Sequence, residues 1–361
     1  MMRFLAGVAT VACLFGGGAA YAQTVPGWMS KVSIHGYASQ AYAVSEDHPI
    51  FGIPTDGTAE YRDLALQFRY DANRRNAVVV QFRHERFGLR RTEDDVQLAW
   101  AFYQRNVSDR LSLKAGRIPL PLGIFNEAAG AATTSPFFQP AQEFYDLHYT
   151  SRTVDGVMGS ASLGRPGPGA WSFDVDAYFG RWALDQWDLE QRADARGAWG
   201  AQVWANTPWP GVRIGGGAYR CKVDPTDAYG YGEDYDYAAL HASIDADLDR
   251  WRLATEVFTG NLGEEYGRYR TWYGQVGFDV TPKLSVHARG TLARVETPGS
   301  GHHARVSDDL GLAVNYAVHP SLLFKVEGHT NEGLLRDDLP RNLYAEPTKT
   351  RYWIASVVAS F

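Results

Sequence analysis

The sequence predicts an all-β transmembrane barrel of about sixteen antiparallel strands, with short turns at one end and long loops at the other. Three observations predict it. Apolar and polar residues alternate with a period of two along most of the chain, the connections alternate between short and long, and the last strand ends on an aromatic residue, Phe361.

Composition sets the frame. Aromatic residues make up 13% of the 361, glycine occurs 37 times, and mean hydropathy is negative. No segment after the N-terminus holds the roughly 18 consecutive apolar residues that a spanning helix needs. A chain that crosses a bilayer without helices must close its sheet, because every backbone polar group in lipid needs an internal partner. The charge balance, 35 basic against 41 acidic residues, argues against a nucleic-acid partner, which requires a basic surface.

Residues 1–22 read as a cleaved secretory signal. Arg3 supplies the positive start, Phe4 to Phe15 the apolar run, and Ala20-Tyr21-Ala22 the small-x-small cleavage site. A lipoprotein reading of Cys13 is the weaker alternative, since Thr10 suits a lipobox poorly. The mature barrel is expected over 23–361, where Cys221 alone remains and no intramolecular disulfide can form.

The strands follow in order. Leu64, Leu66, Phe68 and Tyr70 alternate with Asp63, Ala65, Gln67 and Arg69, giving one greasy and one wet face. Trp171, Phe173, Val175, Ala177 and Phe179 alternate in the same way with Ser172, Asp174, Asp176 and Tyr178. Trp251, Leu253, Thr255 and Val257 alternate with Arg252, Ala254 and Glu256, and Leu322, Phe324 and Val326 with Lys325, Glu327 and His329. The pattern places strands near 31–43, 60–70, 75–86, 94–106, 110–118, 150–163, 170–182 and 196–206. Eight more fall near 211–221, 235–247, 250–259, 268–280, 283–295, 304–318, 321–331 and 350–361.

Short connections fall at 71–74, 107–109, 164–169, 207–210, 248–249, 281–282 and 319–320, rich in the Gly, Pro, Asn and Asp that turns demand. Long ones fall at 44–59, 119–149, 183–195, 222–234, 296–303 and 332–349. Outer-membrane barrels have short periplasmic turns and longer extracellular loops, and an even strand number puts both termini on the periplasmic side. The last strand, Tyr352 to Phe361, resembles the C-terminal signature that the barrel-assembly machinery of Gram-negative outer membranes recognises.

The segment Leu113-Lys114-Ala115-Gly116-Arg117-Ile118-Pro119-Leu120-Pro121-Leu122-Gly123-Ile124-Phe125-Asn126-Glu127, with Asp155-Gly156-Val157 opening the next strand, resembles the strand-into-loop motif of the phosphate-selective porins and related β-barrel porins. The resemblance implies an outer-membrane channel for passive diffusion, a third loop folded into the lumen, and a homotrimer. The phosphate-selective pattern itself is not matched, because the six lysines are scattered and form no ladder.

If the third loop enters the lumen, Asn126, Glu127, Glu143 and Asp146 become candidates for the acidic side of a constriction. The inward faces of the second to fifth strands offer Arg69, Arg83, Arg105 and Lys114 opposite them, giving a transverse field across the pore. The same charges are equally readable as ordinary solvated lumen residues. Arg117 is either a solute contact or a structural residue whose planar fork pairs with loop carbonyls or carboxylates.

Other features carry less. The Tyr-rich acidic stretch Asp224 to Asp236 lacks EF-hand spacing, His302-His303 has no companion ligands, and Gly215-Gly216-Gly217 precedes no helix. No metal or cofactor is expected. The lipid, lipopolysaccharide and small hydrophilic solutes are the expected partners. An enzyme is disfavoured by the absence of a Gly-x-Ser-x-Gly motif. A soluble β-sandwich has no use for a terminal Phe. The rival that shares every signal except an open channel is a non-conducting structural or adhesive barrel whose loops bind a partner.

Overall fold

The computed structural model describes residues 27–361 apart from 91–95, 127–133, 147–151, 166, 186–191, 225–233, 262–266, 297–300 and 340–341, and gives the backbone alone for 183–185 and 192–193. Strands β1 (Val32–Ser45), β2 (Thr58–Asn73), β3 (Asn76–Phe87), β4 (Gln97–Ser108), β5 (Leu111–Pro119) and β6 (Thr153–Gly164) come first. They are followed by β7 (Ser172–Asp185), β8 (Arg192–Asn206), β9 (Val212–Asp224), β10 (Tyr235–Leu248) and β11 (Trp251–Asn261). The last five are β12 (Arg268–Thr281), β13 (Leu284–Glu296), β14 (His303–His319), β15 (Leu322–Gly333) and β16 (Thr348–Ser360). Among the described residues, one short helix, α1 (Gln142–Tyr145), lies between β5 and β6.

Each strand pairs with its sequence neighbours, and β1 closes on β16 from Tyr37↔Ser360 to Ser45↔Tyr352. The result is a closed antiparallel barrel of sixteen strands, as the alternation requires. Closure removes the sheet edges that would otherwise leave donors and acceptors unpaired. The seam ends on reciprocal backbone bonds between Gly36 and Phe361 at 3.1 and 3.0 Å. A Cβ at Gly36 would meet the Phe361 ring at 2.7 Å, so the terminal aromatic lies against a residue with no side chain.

The short connections are fixed by the polar residue that opens them. Asn73 Oδ1 accepts the Arg75 amide, Ser108 Oγ the Arg110 amide, and Thr281 Oγ1 the amides of Lys283 and Leu284, at 3.0 to 3.2 Å. Such side-chain acceptors hold the chain in a tight turn without a helix or ladder. The connections following β3 and β11 lie at the same end of the barrel as the long loops that the sequence had marked.

Side chains alternate between the two faces. Leu66, Phe82, Leu113, Phe173, Leu240, Val257, Leu292, Leu310 and Val326 are exposed on the outside. A band of that size on a soluble protein would be an aggregation surface; on a barrel it is the face a bilayer covers. Tyr70, Tyr103, Trp171, Trp251 and Tyr316 flank it at the turn end, and Tyr42, Trp272 and Trp353 toward the loop end. Above it, ion pairs such as Arg270–Glu296, Arg294–Asp308, Arg305–Glu332 and Arg351–Glu46 form an outward charged rim. The inner face is polar at the turn end and filled at the loop end by the first and third loops packed on lumen-facing aromatics.

Candidate functional site

The third loop, L3 (120–152), is the feature that shapes the lumen. Leu120 N–H donates to the Arg152 carbonyl at 2.9 Å, pinching the base of the loop. Asn126 Nδ2 donates to the Leu120 and Arg152 carbonyls at 2.6 and 3.3 Å, so this sequence-predicted constriction residue holds the base closed.

From there L3 runs across the lumen and bonds to the wall of β11–β15. Lys325 Nζ donates to the Ser135 and Phe137 carbonyls at 2.6 and 3.2 Å, Asn315 Nδ2 to the Pro136 carbonyl at 2.9 Å, and Arg289 Nη1 to the Gln139 carbonyl at 3.0 Å. Phe138 N–H donates to Glu327 Oε2 at 2.9 Å. Glu256 on β11 accepts the Ile124 amide at 2.9 Å, Ser243 Oγ at 2.6 Å, and the hydroxyls of Tyr145 and Tyr273. A buried backbone group without a partner costs about 1–3 kcal/mol, so these wall side chains supply what an irregular segment cannot provide for itself.

Rings complete the docking. Phe138 sits 5.1 Å from Tyr61, Phe144 5.8 Å from both Phe258 and Tyr273, and Arg289 lies 4.1 Å over the Phe137 ring. The other flank is ionic. Arg152 bridges Glu85 on β3 and Asp146 in the loop at 2.9 and 3.1 Å. Arg83 forks onto Asp63 at 2.9 and 2.7 Å and reaches Glu85 at 2.6 Å, while the Tyr37 hydroxyl donates to Asp63 at 2.9 Å.

This geometry corrects the expected transverse field. Arg83 faces inward, but Asp63 and Glu85 neutralise it. Asp146 is held by Arg152, and Glu143 is tucked beneath the loop, accepting Ser307 Oγ at 2.7 Å. Arg69 faces the lumen with its charge paired to Asp71 at 3.0 Å. Lys114 also faces the lumen, 5.8 Å over the Phe102 ring.

Arg105 stands on the outer face, opposite Asn76 and the exposed Leu113. A bulge in β4 is the cause: Phe82 pairs with Leu98 but Gln81 with Trp100, so the extra residue reverses which alternate positions point inward. Arg117 is also on the outside, forked onto Asp155 at 2.8 and 3.0 Å and donating to the Leu98 carbonyl, both of them strand residues. Glu127 lies outside the described residues. Among the described residues, no group of three His, Cys, Asp or Glu is placed to hold a metal ion.

Glu256, Lys325, Glu327 and Arg289, which anchor the loop, were not singled out by the sequence. The alternation did put Glu256, Lys325 and Glu327 on the wet face; that each meets a loop far away in sequence had no local signal.

Glu143 gives the docking a pH dependence. Burial, then the nearby Asp309 carboxylate, raise its pKa above the usual 4.5. A carboxyl whose folded pKa is raised stabilises the docked state fully below the unfolded value, and that contribution is lost as pH rises through the folded value. Undocking of L3, followed by protease access to the loop in the refolded barrel, is therefore expected to be slowest in acid and to quicken from about pH 4.5 upward. Glu143→Gln should flatten that dependence; an unchanged profile would remove Glu143 from the account.

No protein-family model matches the chain, and no curated protein matches it. Solved structures do. OmpF of Salmonella typhi, solved with daunomycin, is 12% identical, with a TM-score of 0.61 over 91% of this chain and 97% of that one. The outer-membrane channel DcaP of Acinetobacter baumannii is 11% identical, with a TM-score of 0.60 over 91% and 97%. OmpT of Vibrio cholerae, solved in a trimer form, is 10% identical, with a TM-score of 0.57 over 91% and 99%. The chain thus has the fold of the outer-membrane porins, a likeness of fold at identities too low to carry function.

Proposed function

We propose that this barrel is an outer-membrane channel for passive diffusion of small hydrophilic solutes or ions, with L3 as its fixed constriction, and that it is not an enzyme. The observation that carries the reading is the inward-folded L3 above a turn-end lumen lined by Arg69, Gln104, Lys114, Asp174, Asp245 and Arg252, in a barrel whose size leaves an aqueous interior unless something fills it. In this reading residues 1–22 are removed on export, the loops face outward, and both termini are periplasmic. Phe361 serves the assembly machinery, and the charged outer rim meets lipopolysaccharide. The trimeric form of the similar Vibrio cholerae protein supports a homotrimer here.

A second reading, a barrel without steady conduction, is favoured by one observation. Buried apolar side chains from β1, β2, β3, from β5 to β14 and from β16 join with L3 into one continuous cluster at the loop end. Refolded protein in planar bilayers at two salt concentrations decides between them. Stable ohmic steps, with a reversal potential that reports the sign of the filter, are expected; silence from correctly folded barrels would leave the plugged or adhesive barrel.

A further inference from the structure

Beneath L3, on the turn side, the lumen holds a cavity of about 400 Å3. Its roof is L3, where Ile124, Phe125 and Pro136 lie beside Thr134 and Ser135, and its wall is the inner face of β9–β15. That volume is within the range of small-molecule sites, which combine an apolar lining with a few placed polar groups.

The charges on the wall are mostly matched. Arg213 pairs with Asp245 at 2.8 Å and Arg252 with Asp279 at 3.0 Å. Lys283, in the turn between β12 and β13, lines the same cavity, is exposed, and has no described carboxylate within ion-pair distance. Three cations against two carboxylates leave one positive charge, at the mouth. Deeper in, Ser285 Oγ and His287 Nε2 lie 2.8 Å apart, within hydrogen-bonding distance.

From this balance we infer that the cavity beneath L3 is a binding site for a small organic monoanion, its carboxylate on Lys283 and its apolar body under Ile124, Phe125 and Pro136. An inorganic oxyanion would leave Ile124, Phe125 and Pro136 against a hydrated ion. A neutral solute would gain nothing from Lys283, and a dianion would find one surplus cation for two charges. The assignment deepens the channel reading and rests on it only in requiring that the turn-end lumen be reached by solvent.

The test uses the full refolded barrel in detergent, titrated calorimetrically with benzoate, benzyl alcohol and inorganic phosphate. Benzoate is expected to bind most tightly of the three. Lys283→Gln should weaken benzoate about fivefold, the size of an exposed ion pair, and leave benzyl alcohol unchanged. Ala317→Phe, which fills the cavity from the wall beside Lys283, should abolish benzoate binding in a barrel that still migrates as folded. Benzoate binding no tighter than benzyl alcohol or phosphate, or binding indifferent to Lys283→Gln, would overturn the assignment. Silent bilayers with intact benzoate binding would sink the channel reading alone, and conduction without binding would sink this one alone.

Discussion

Glu256→Leu is expected to release L3 from the wall and to be among the most damaging single substitutions in the barrel. The carboxylate is buried and accepts from the Ile124 amide, Ser243 and two tyrosine hydroxyls. The Ile124 amide keeps the Tyr145 hydroxyl as acceptor at 3.0 Å, but leucine leaves Ser243 and the two tyrosine hydroxyls without theirs at about 1–3 kcal/mol each, less whatever Tyr145 and Tyr273 recover from one another, so a loss of about 3–5 kcal/mol follows. Urea unfolding in detergent should show the lower midpoint, and bilayer recordings should show larger, noisier currents as the loop moves. Glu256→Gln, which keeps an acceptor, should fall between parent and leucine variant. A leucine variant with parental stability and current would mean that the anchor lies elsewhere on the wall.

Arg83→Met is the second large effect, with the opposite electrostatic logic. Arg83 is about one-tenth exposed and holds Asp63 and Glu85 together on the inner face of β2 and β3. Removing it leaves the Asp63 carboxylate, about one-tenth exposed, without a cation and beside Glu85, which keeps Arg152, and breaking a buried pair from one side typically costs about 3–5 kcal/mol. The damage should reach L3, because Glu85 also holds Arg152. Adding Asp63→Asn to Arg83→Met should restore part of the loss, since the uncompensated charge goes with it. If the double variant is no more stable than the single one, the cost lies in packing and not in charge.

The sequence was most legible where the physics is local. A strand with lipid on one side and a lumen on the other must alternate, so the sixteen strands, their order and the inward placement of Arg69, Arg83 and Lys114 follow from a period of two. It failed at Arg105 because a one-residue bulge is invisible to a pattern count, yet it turns every later side chain in the strand to the other face.

L3 shows where that legibility stops. Its position between β5 and β6 and its insertion follow from the resemblance carried by residues 113–127, but the loop's own charges misled, because Glu143 and Asp146 look free in the sequence and are spoken for in the fold. Their partners, Ser307 and Arg152, and the anchors Glu256, Arg289 and Lys325, become neighbours only when the barrel closes. The sequence by itself determined that the chain makes a closed membrane barrel with an apolar exterior. Tertiary structure alone decided which lumen charges cancel and which, Lys283 among them, remain unmatched by any described carboxylate. Backbone alternation is set between adjacent residues, whereas the net charge of a cavity is set by side chains brought together across the lumen.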